Sequence, residues 1–247
     1  MKKQLLGVNI TIDNKETILS EVNNYLLGKL KKTPFIIVTP NPEQLVLAQK
    51  DKEFLKLLNK ADVALPDGVG IVWALRFLNQ EPRTKNQEPS RISGIDFMSD
   101  LVRMANKNNW TIGLVGGWNG VGEKALAELQ KSYANLHGWA ITPEETDEKK
   151  LAQHIADSNT KIVFVGLGAP KQEQYIDVLK KHSGRVVFMA VGGAFDMIAG
   201  VTLRAPDWIQ KIGLEWLYRL FRQPWRWRRQ MALIQFFQLI VSSKMWK

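Results

Sequence analysis

Cysteine is absent from this chain of 247 residues, so disulfides and thiolate chemistry are excluded and a reducing, intracellular compartment is permitted. Histidine is scarce, with His137, His154 and His182 scattered singly, and no Asp-x-Asp pair occurs. A transition-metal site has no ligand cluster to build on, and no acidic pair stands ready to hold a divalent ion beside a diphosphate. The expectation is therefore no metal and no cofactor. Long apolar runs are missing too. The longest, "MALIQFFQLIV", has eleven residues with two glutamines inside it, against the roughly 20 a membrane-spanning helix needs. The opening "MKKQLLGVNITIDNKE" has too short an apolar stretch for a signal peptide and reads as a first β-strand.

Positive charge is unevenly spread. The net charge is +10, and the last 45 residues, from Leu203, hold nine Lys/Arg against two Asp/Glu, which leaves the rest nearly neutral. Five of the nine tryptophans (Trp208, Trp216, Trp225, Trp227, Trp246) lie in the same stretch. The chain thus divides into a catalytic-type body, residues 1–200, and a basic, aromatic helical appendage, residues 201–247.

Within the body, strand-like and helix-like segments alternate. "LLGVNITI", "FIIVTP", "ADVALP", "TIGLVGG", "KIVFVGLG" and "RVVFMAVGG" read as strands, and the later ones are nearly unbroken apolar runs, as parallel strands covered on both faces should be. Ile18, Val22, Leu26 and Leu30 recur on one helical face, as do Val121, Ala125 and Leu129. Asn41 before Pro42 and Glu43 reads as an N-cap with proline at the first helical position. The pattern predicts an α/β fold: a Rossmann-like, mostly parallel sheet flanked by helices, with a C-terminal amphipathic helical appendage. The polar stretch 79–90 reads as a loop beside the site.

Ligands of such sheets bind outside the carboxyl ends of the strands, so the residues following each strand carry the functional argument. In "LPDGVG", Asp67 is placed to act as a general base or, equally, to cap the next helix. "VTPNPE" brings Thr39 and Asn41 to the same edge; capping accounts for Asn41 but not for Thr39. "GGWNGVG", with Gly117, suits either a phosphate loop or a tight turn between strand and helix, and on this loop alone the turn is the stronger reading. "GLGAPKQE" offers Gln172 at a helix start, and "GGAFD" repeats the design with Gly193 and Asp196.

Taken together, "TPNPE", "ADVALPDGVGIVWA", "RISGIDF", "GLGAPKQE", "GGAFDMIAG" and "RAPDWIQKIGLEWLYRLFRQPWR" resemble the WecG/TagA/CpsF glycosyltransferase family, most strongly its wall-teichoic-acid branch. Pro42 stands where that family more often has a small residue. The resemblance implies an inverting, metal-independent transfer of N-acetylmannosamine, or a related sugar, from a UDP donor. The implied acceptor is the C4 hydroxyl of N-acetylglucosamine on undecaprenyl diphosphate. It further implies Asp67 as the general base, with Thr39, Asn41, Arg91 and Gln172 lining the pocket and Arg219, Arg226 and Arg229 near the diphosphate. A lipid-linked acceptor implies a cytoplasmic enzyme, peripheral on the inner face of the cell membrane. The composition of the tail then has a purpose, which is to meet that surface. Leu214, Leu217 and Phe221 share one helical face, Glu215, Arg219 and Arg222 another, and "WRWRRQ" sets basic and aromatic groups at headgroup level. The alternative is a basic nucleic-acid-binding α/β protein, which leaves the loops of the body idle. A nicotinamide oxidoreductase is disfavoured by the missing dinucleotide fingerprint. No nucleic-acid partner is expected; homo-oligomerisation is left open.

Overall fold

The computed structural model describes residues 1–30, 34–78, 89–142, 147–211, 213–224 and 227–245; within the last helices the side chains of 207, 211, 219 and 228–230 are also left undescribed. Most of the loop expected at 79–90 therefore lies outside the described residues. In chain order the elements are β1 (Lys2–Leu5), β2 (Val8–Thr11), α1 (Lys15–Leu26), β3 (Phe35–Val38), α2 (Pro42–Lys50), α3 (Lys52–Lys60), β4 (Val63–Ala64), α4 (Val69–Leu78) and α5 (Gly94–Asn108). Then follow β5 (Thr111–Gly116), α6 (Val121–Ser132), β6 (Gly138–Ile141), α7 (Glu148–Asp157), β7 (Thr160–Gly166), α8 (Lys171–Leu179), β8 (Val187–Ala190) and α9 (Ala194–Ile198). The chain closes with α10 (Asp207–Lys211), α11 (Glu215–Arg222) and α12 (Trp227–Met245).

Six strands form one parallel sheet in the order β4-β3-β8-β7-β5-β6. Alternate residues divide between two apolar layers: Ile36, Val38, Val163, Val165, Phe188 and Ala190 face one, and Phe35, Ile37, Ile162, Phe164, Val187 and Met189 the other. Helices cover both faces, which is why the central strands read as continuous apolar runs. The stretch "LLGVNITI" is not one strand. Leu6 and Gly7 both take positive φ, 48° and 78°, and close a two-residue turn that pairs β1 antiparallel to β2.

The topology opens a crevice. β3 and β8 are hydrogen-bonded neighbours, yet the helix after β3 packs its Leu45 and Val46 on one layer while α9, after β8, packs Ala194 and Phe195 on the other. Two connections that leave a sheet edge toward opposite faces leave a cleft between them at the strands' carboxyl ends.

The C-terminal stretch has two characters. α12 buries Phe236 (3% exposed) and Ile240 (0%) in the same apolar layer as α2 and α4, and its Phe237 stacks on Trp73 with ring centroids 5.1 Å apart. Residues 201–224 do the reverse. Glu215, expected on a different helical face from Phe221, is buried (7% exposed), while Phe221 is 77% exposed and Trp208 and Trp216 also face outward. The physical reason is a cation on the body, Arg91, which Glu215 meets. No described helix is long and apolar enough to cross a membrane.

Candidate active site

Thr39 ends β3 and is buried; its hydroxyl donates to the Ala190 carbonyl at 3.3 Å, which ties the ends of β3 and β8 together across the crevice. Asn41 caps α2, its side-chain oxygen accepting from the Gln44 N–H at 3.0 Å. Asp67 follows β4, with its own N–H bonded to the Leu65 carbonyl at 2.8 Å, and is half-buried.

The first residue of α5 brings these groups together. A Cβ built on Gly94 would stand 3.0 Å from Thr39 Cγ2 and 3.5 Å from Asp67 Oδ2. The approach of the N-terminus of α5 to Thr39 is tight and favours a residue without a side chain there, while Asp67 lies at ordinary contact distance. That helix end favours negative charge, so the Asp67 carboxylate sits in a field that suits it. The segment before α5 is held in place by the Ile92 N–H, which donates to the Pro66 carbonyl at 3.2 Å. Sequence reasoning passed over Gly94, although "RISGIDF" offered a glycine where a helix begins.

Arg91, expected in the pocket, makes its contacts with the C-terminal segment. Its guanidinium donates to Glu215 Oε2 at 2.8 Å and to the Gln210 carbonyl at 3.2 Å. Within the first turn of α5, Asp96 pairs with both terminal nitrogens of Arg204, at 2.7 and 2.8 Å. Burial alone would raise the Asp96 carboxyl, but the Arg204 hydrogen bonds and charge, helped by Ser93 and Arg91, hold it below its ordinary value. Two arginine–carboxylate pairs thus strap residues 204–215 across the mouth of α5.

On the other side of the crevice, Gln172 is 1% exposed. Its Oε1 accepts from the Gly192 N–H at 3.0 Å, and its Nε2 donates to Glu173 Oε1 at 2.9 Å. The β7–α8 and β8–α9 loops are thereby joined. Gly193 closes the second of these loops as the N-cap of α9, and Asp196 Oδ2 lies 3.5 Å from where a Cβ on Gly193 would be. Gly117 is two strands away from β8, after β5. At φ 80° its Cβ would fall 2.5 Å from the Gly122 nitrogen, and the Gly122 N–H bonds its carbonyl at 3.2 Å. Its backbone is occupied in closing a tight βα turn, although Trp118 on the same loop is exposed.

Thr39, Asn41 and Asp67 thus follow β3 and β4, and Gln172, Gly193 and Asp196 follow β7 and β8, at the same carboxyl edge of the sheet. Arg226 lies outside the described residues, and so do the side chains of Arg219 and Arg229. Among the described residues, no three His, Asp or Glu side chains gather closely enough to hold a metal ion.

The sequence profile of the glycosyl transferase WecG/TagA/CpsF family matches residues 3–247. The chain belongs to that family. It is 33% identical to the N-acetylglucosaminyldiphosphoundecaprenol N-acetyl-beta-D-mannosaminyltransferase of Bacillus subtilis (strain 168), over 87% of this chain and 82% of the relative. It is 32% identical to the protein of the same name from Staphylococcus aureus (strain MRSA252), over 88% of this chain and 84% of that relative. Membership in a glycosyltransferase family decides between the enzymatic and nucleic-acid readings in favour of the enzyme.

Proposed function

We propose that this glycosyltransferase moves N-acetylmannosamine, or a closely related sugar, from a UDP donor to the C4 hydroxyl of N-acetylglucosamine on undecaprenyl diphosphate, in cell-wall polymer synthesis. The observation that carries the reading is the half-buried Asp67 carboxylate at the switch-point crevice, beside Thr39 and the N-terminus of α5. The names of the two relatives support the acceptor and the sugar.

In the step itself, Asp67 takes the proton of the acceptor hydroxyl as that oxygen bonds to the anomeric carbon. The bond from that carbon to the diphosphate breaks on the opposite face, and UDP leaves with its electron pair, so the configuration inverts. Thr39 and Asn41 border the acceptor side, and Arg91 stands at its margin. Gln172, Gly193 and Asp196 border the donor side, with Gly117 at its far end. Charge gathering on UDP is met without a metal ion by Arg219, Arg226 and Arg229, for which arginine's rigid fork of donors is suited. The outward Trp208, Trp216, Phe221 and Trp227, set among arginines, support a peripheral seat on the anionic inner leaflet where the lipid acceptor lies.

A screen of UDP-sugars with a short-chain lipid-diphosphate-N-acetylglucosamine acceptor, reading UDP release, tests this. Acceptor-dependent release with UDP-N-acetylmannosamine, undiminished by EDTA, is expected. Release that ignores the acceptor, or that returns only with added Mg²⁺ or Mn²⁺, refutes the corresponding part.

A further inference from the structure

Glu173 is a first-turn residue of α8, a position where glutamate ordinarily meets water, yet it is 4% exposed. Ile36, Val38, Leu57 and Ile176 line the small cavity it faces. Lys60, Lys180 and Asp177 complete its lining, and the two lysines pair with Asp177, at 3.6 and 2.6 Å, rather than with Glu173. Among the described residues, Glu173 Oε2 is buried with no hydrogen-bond partner, and Oε1 has the Gln172 amide. Burial accordingly pushes the carboxyl up from its ordinary value. An apolar side chain of that size would fit these surroundings at lower cost, so what the carboxyl contributes beyond a bond to its own backbone N–H is its hydrogen bond to the Gln172 amide.

That bond has a directional consequence. An amide side chain can be turned end for end with little change of shape, and only its partners fix which end is which. With Glu173 accepting at Nε2, Oε1 must face the Gly192 N–H, as found at 3.0 Å. The reverse orientation would set donor against donor at Gly192 and, with Glu173 ionised, acceptor against acceptor at Glu173. Either protonation state of Glu173 leaves an oxygen able to accept.

We propose that Glu173 is a positioning residue, acting through Gln172 to fix the loop from Gly192 to Asp196 that forms the donor wall of the crevice. Thr39 reinforces the same point from the other side, since its hydroxyl holds Ala190, two residues before Gly192.

Hydrogen exchange in the protein without ligand tests the idea independently of the functional reading. Glu173→Met keeps the length and removes the acceptor; Glu173→Gln keeps an acceptor. Amides 192–196 should exchange roughly fivefold faster in Glu173→Met, the change expected for losing one hydrogen bond, while β5 and β7 stay as in the wild type. Glu173→Gln should stay within about twofold of the wild type, and Glu173→Met should add nothing once Gln172→Ala is present. Unchanged exchange at 192–196, a rise spread evenly over the sheet, or equal effects with and without Gln172 would overturn the proposal. Should Glu173→Met fail to fold, Gln172→Ala alone must loosen 192–196 and Glu173→Gln must not; either failure overturns it. The kinetic arm rests on the proposed activity: the donor KM should rise about tenfold in Glu173→Met, with kcat within about threefold and recovery in Glu173→Gln. A kcat loss at unchanged KM counts against the role. Absence of turnover in the wild type would sink the proposed activity, while the exchange arm still decides this one.

Discussion

The body and the segment from residue 201 to 224 solve the same problem with opposite chemistry. In the body, Phe164, Phe188 and Leu45 are fully enclosed, and α2, α3 and α7 begin with side-chain caps from Asn41, Asp51 and Asp147. In the segment, Phe221, Trp208, Leu203 and Val201 face outward, and the inward contacts include the pairs Arg91–Glu215 and Asp96–Arg204. Apolar burial is non-directional and is not screened by salt, whereas exposed ion pairs are directional and weaken as salt rises. The segment turns apolar side chains outward and makes charged contacts inward, the opposite of the body's arrangement. The body is built to hold a crevice still.

The largest effect expected from this division is on the body's side. Asp67→Asn keeps shape and removes the proposed base, so turnover should fall about 10²–10⁴-fold. UDP binding, vesicle binding and melting temperature should stay near wild type. If the variant keeps turnover within a fewfold, Asp67 is only a loop residue and the catalytic half of the comparison breaks.

Phe236→Ala asks where the division ends. The side chain is 3% exposed and lies in the layer shared with α2 and α4, so the substitution should cost about 3–5 kcal/mol of unfolding free energy. α12 would then be part of what holds the body together, whatever surface the preceding segment meets. A cost under about 1 kcal/mol in chemical denaturation would return α12 to the appendage.

The sequence disclosed the body far better than the segment, for a physical reason. A buried parallel strand announces itself locally, because every residue of "IVFVG" must be apolar, and Asn41–Pro42 announces a helix start because capping is a contact three residues long. The hairpin at Leu6–Gly7 was hidden because neither residue is Asn or Asp, and α1 was read too far because Leu30 continues its spacing past the true end at Leu26. Thr39 and Asp67 could be placed on one edge from strand ends alone. Glu215 could not be oriented, since its partner Arg91 lies 124 residues away and a helical wheel carries no record of it. Glu173 was invisible for the same reason: nothing local distinguishes a buried first-turn glutamate from a solvated one.

The straps on the segment should show in its acid response. Asp96 is held below the ordinary carboxylate value near 3.9, so it stabilises the fold above that pH and loses the contribution as pH falls through its depressed folded value. Asp96→Asn should therefore lower stability at neutral pH and flatten the decline below about pH 4. Because the carboxylate is about half exposed (49%), the effect should be modest and should shrink in high salt. An unaltered acid limb in thermal melts would mean that Arg204 contributes nothing to holding the segment.

The smallest effect on stability belongs to Phe221, and that is its value as a probe. At 77% exposed, its ring has almost no protein contact to lose, so Phe221→Ser should change unfolding free energy by no more than about 0.5 kcal/mol. In the body such a change would carry no functional signal. Here, if the outward face meets lipid, the lost apolar area should weaken binding to vesicles containing anionic lipid by roughly tenfold, since burial of one aromatic ring at the interface is worth on the order of 1.5–3 kcal/mol and only part of it is immersed. Turnover with a soluble acceptor should stay at the wild-type rate, and turnover with a membrane-borne acceptor should fall with the binding. The two assays separate anchoring from chemistry at one residue. Equal loss in both would place Phe221 at the crevice rather than at the membrane. Unchanged vesicle binding, with the protein as stable as before, would leave the exposed aromatics of this segment without the role that their outward orientation suggests.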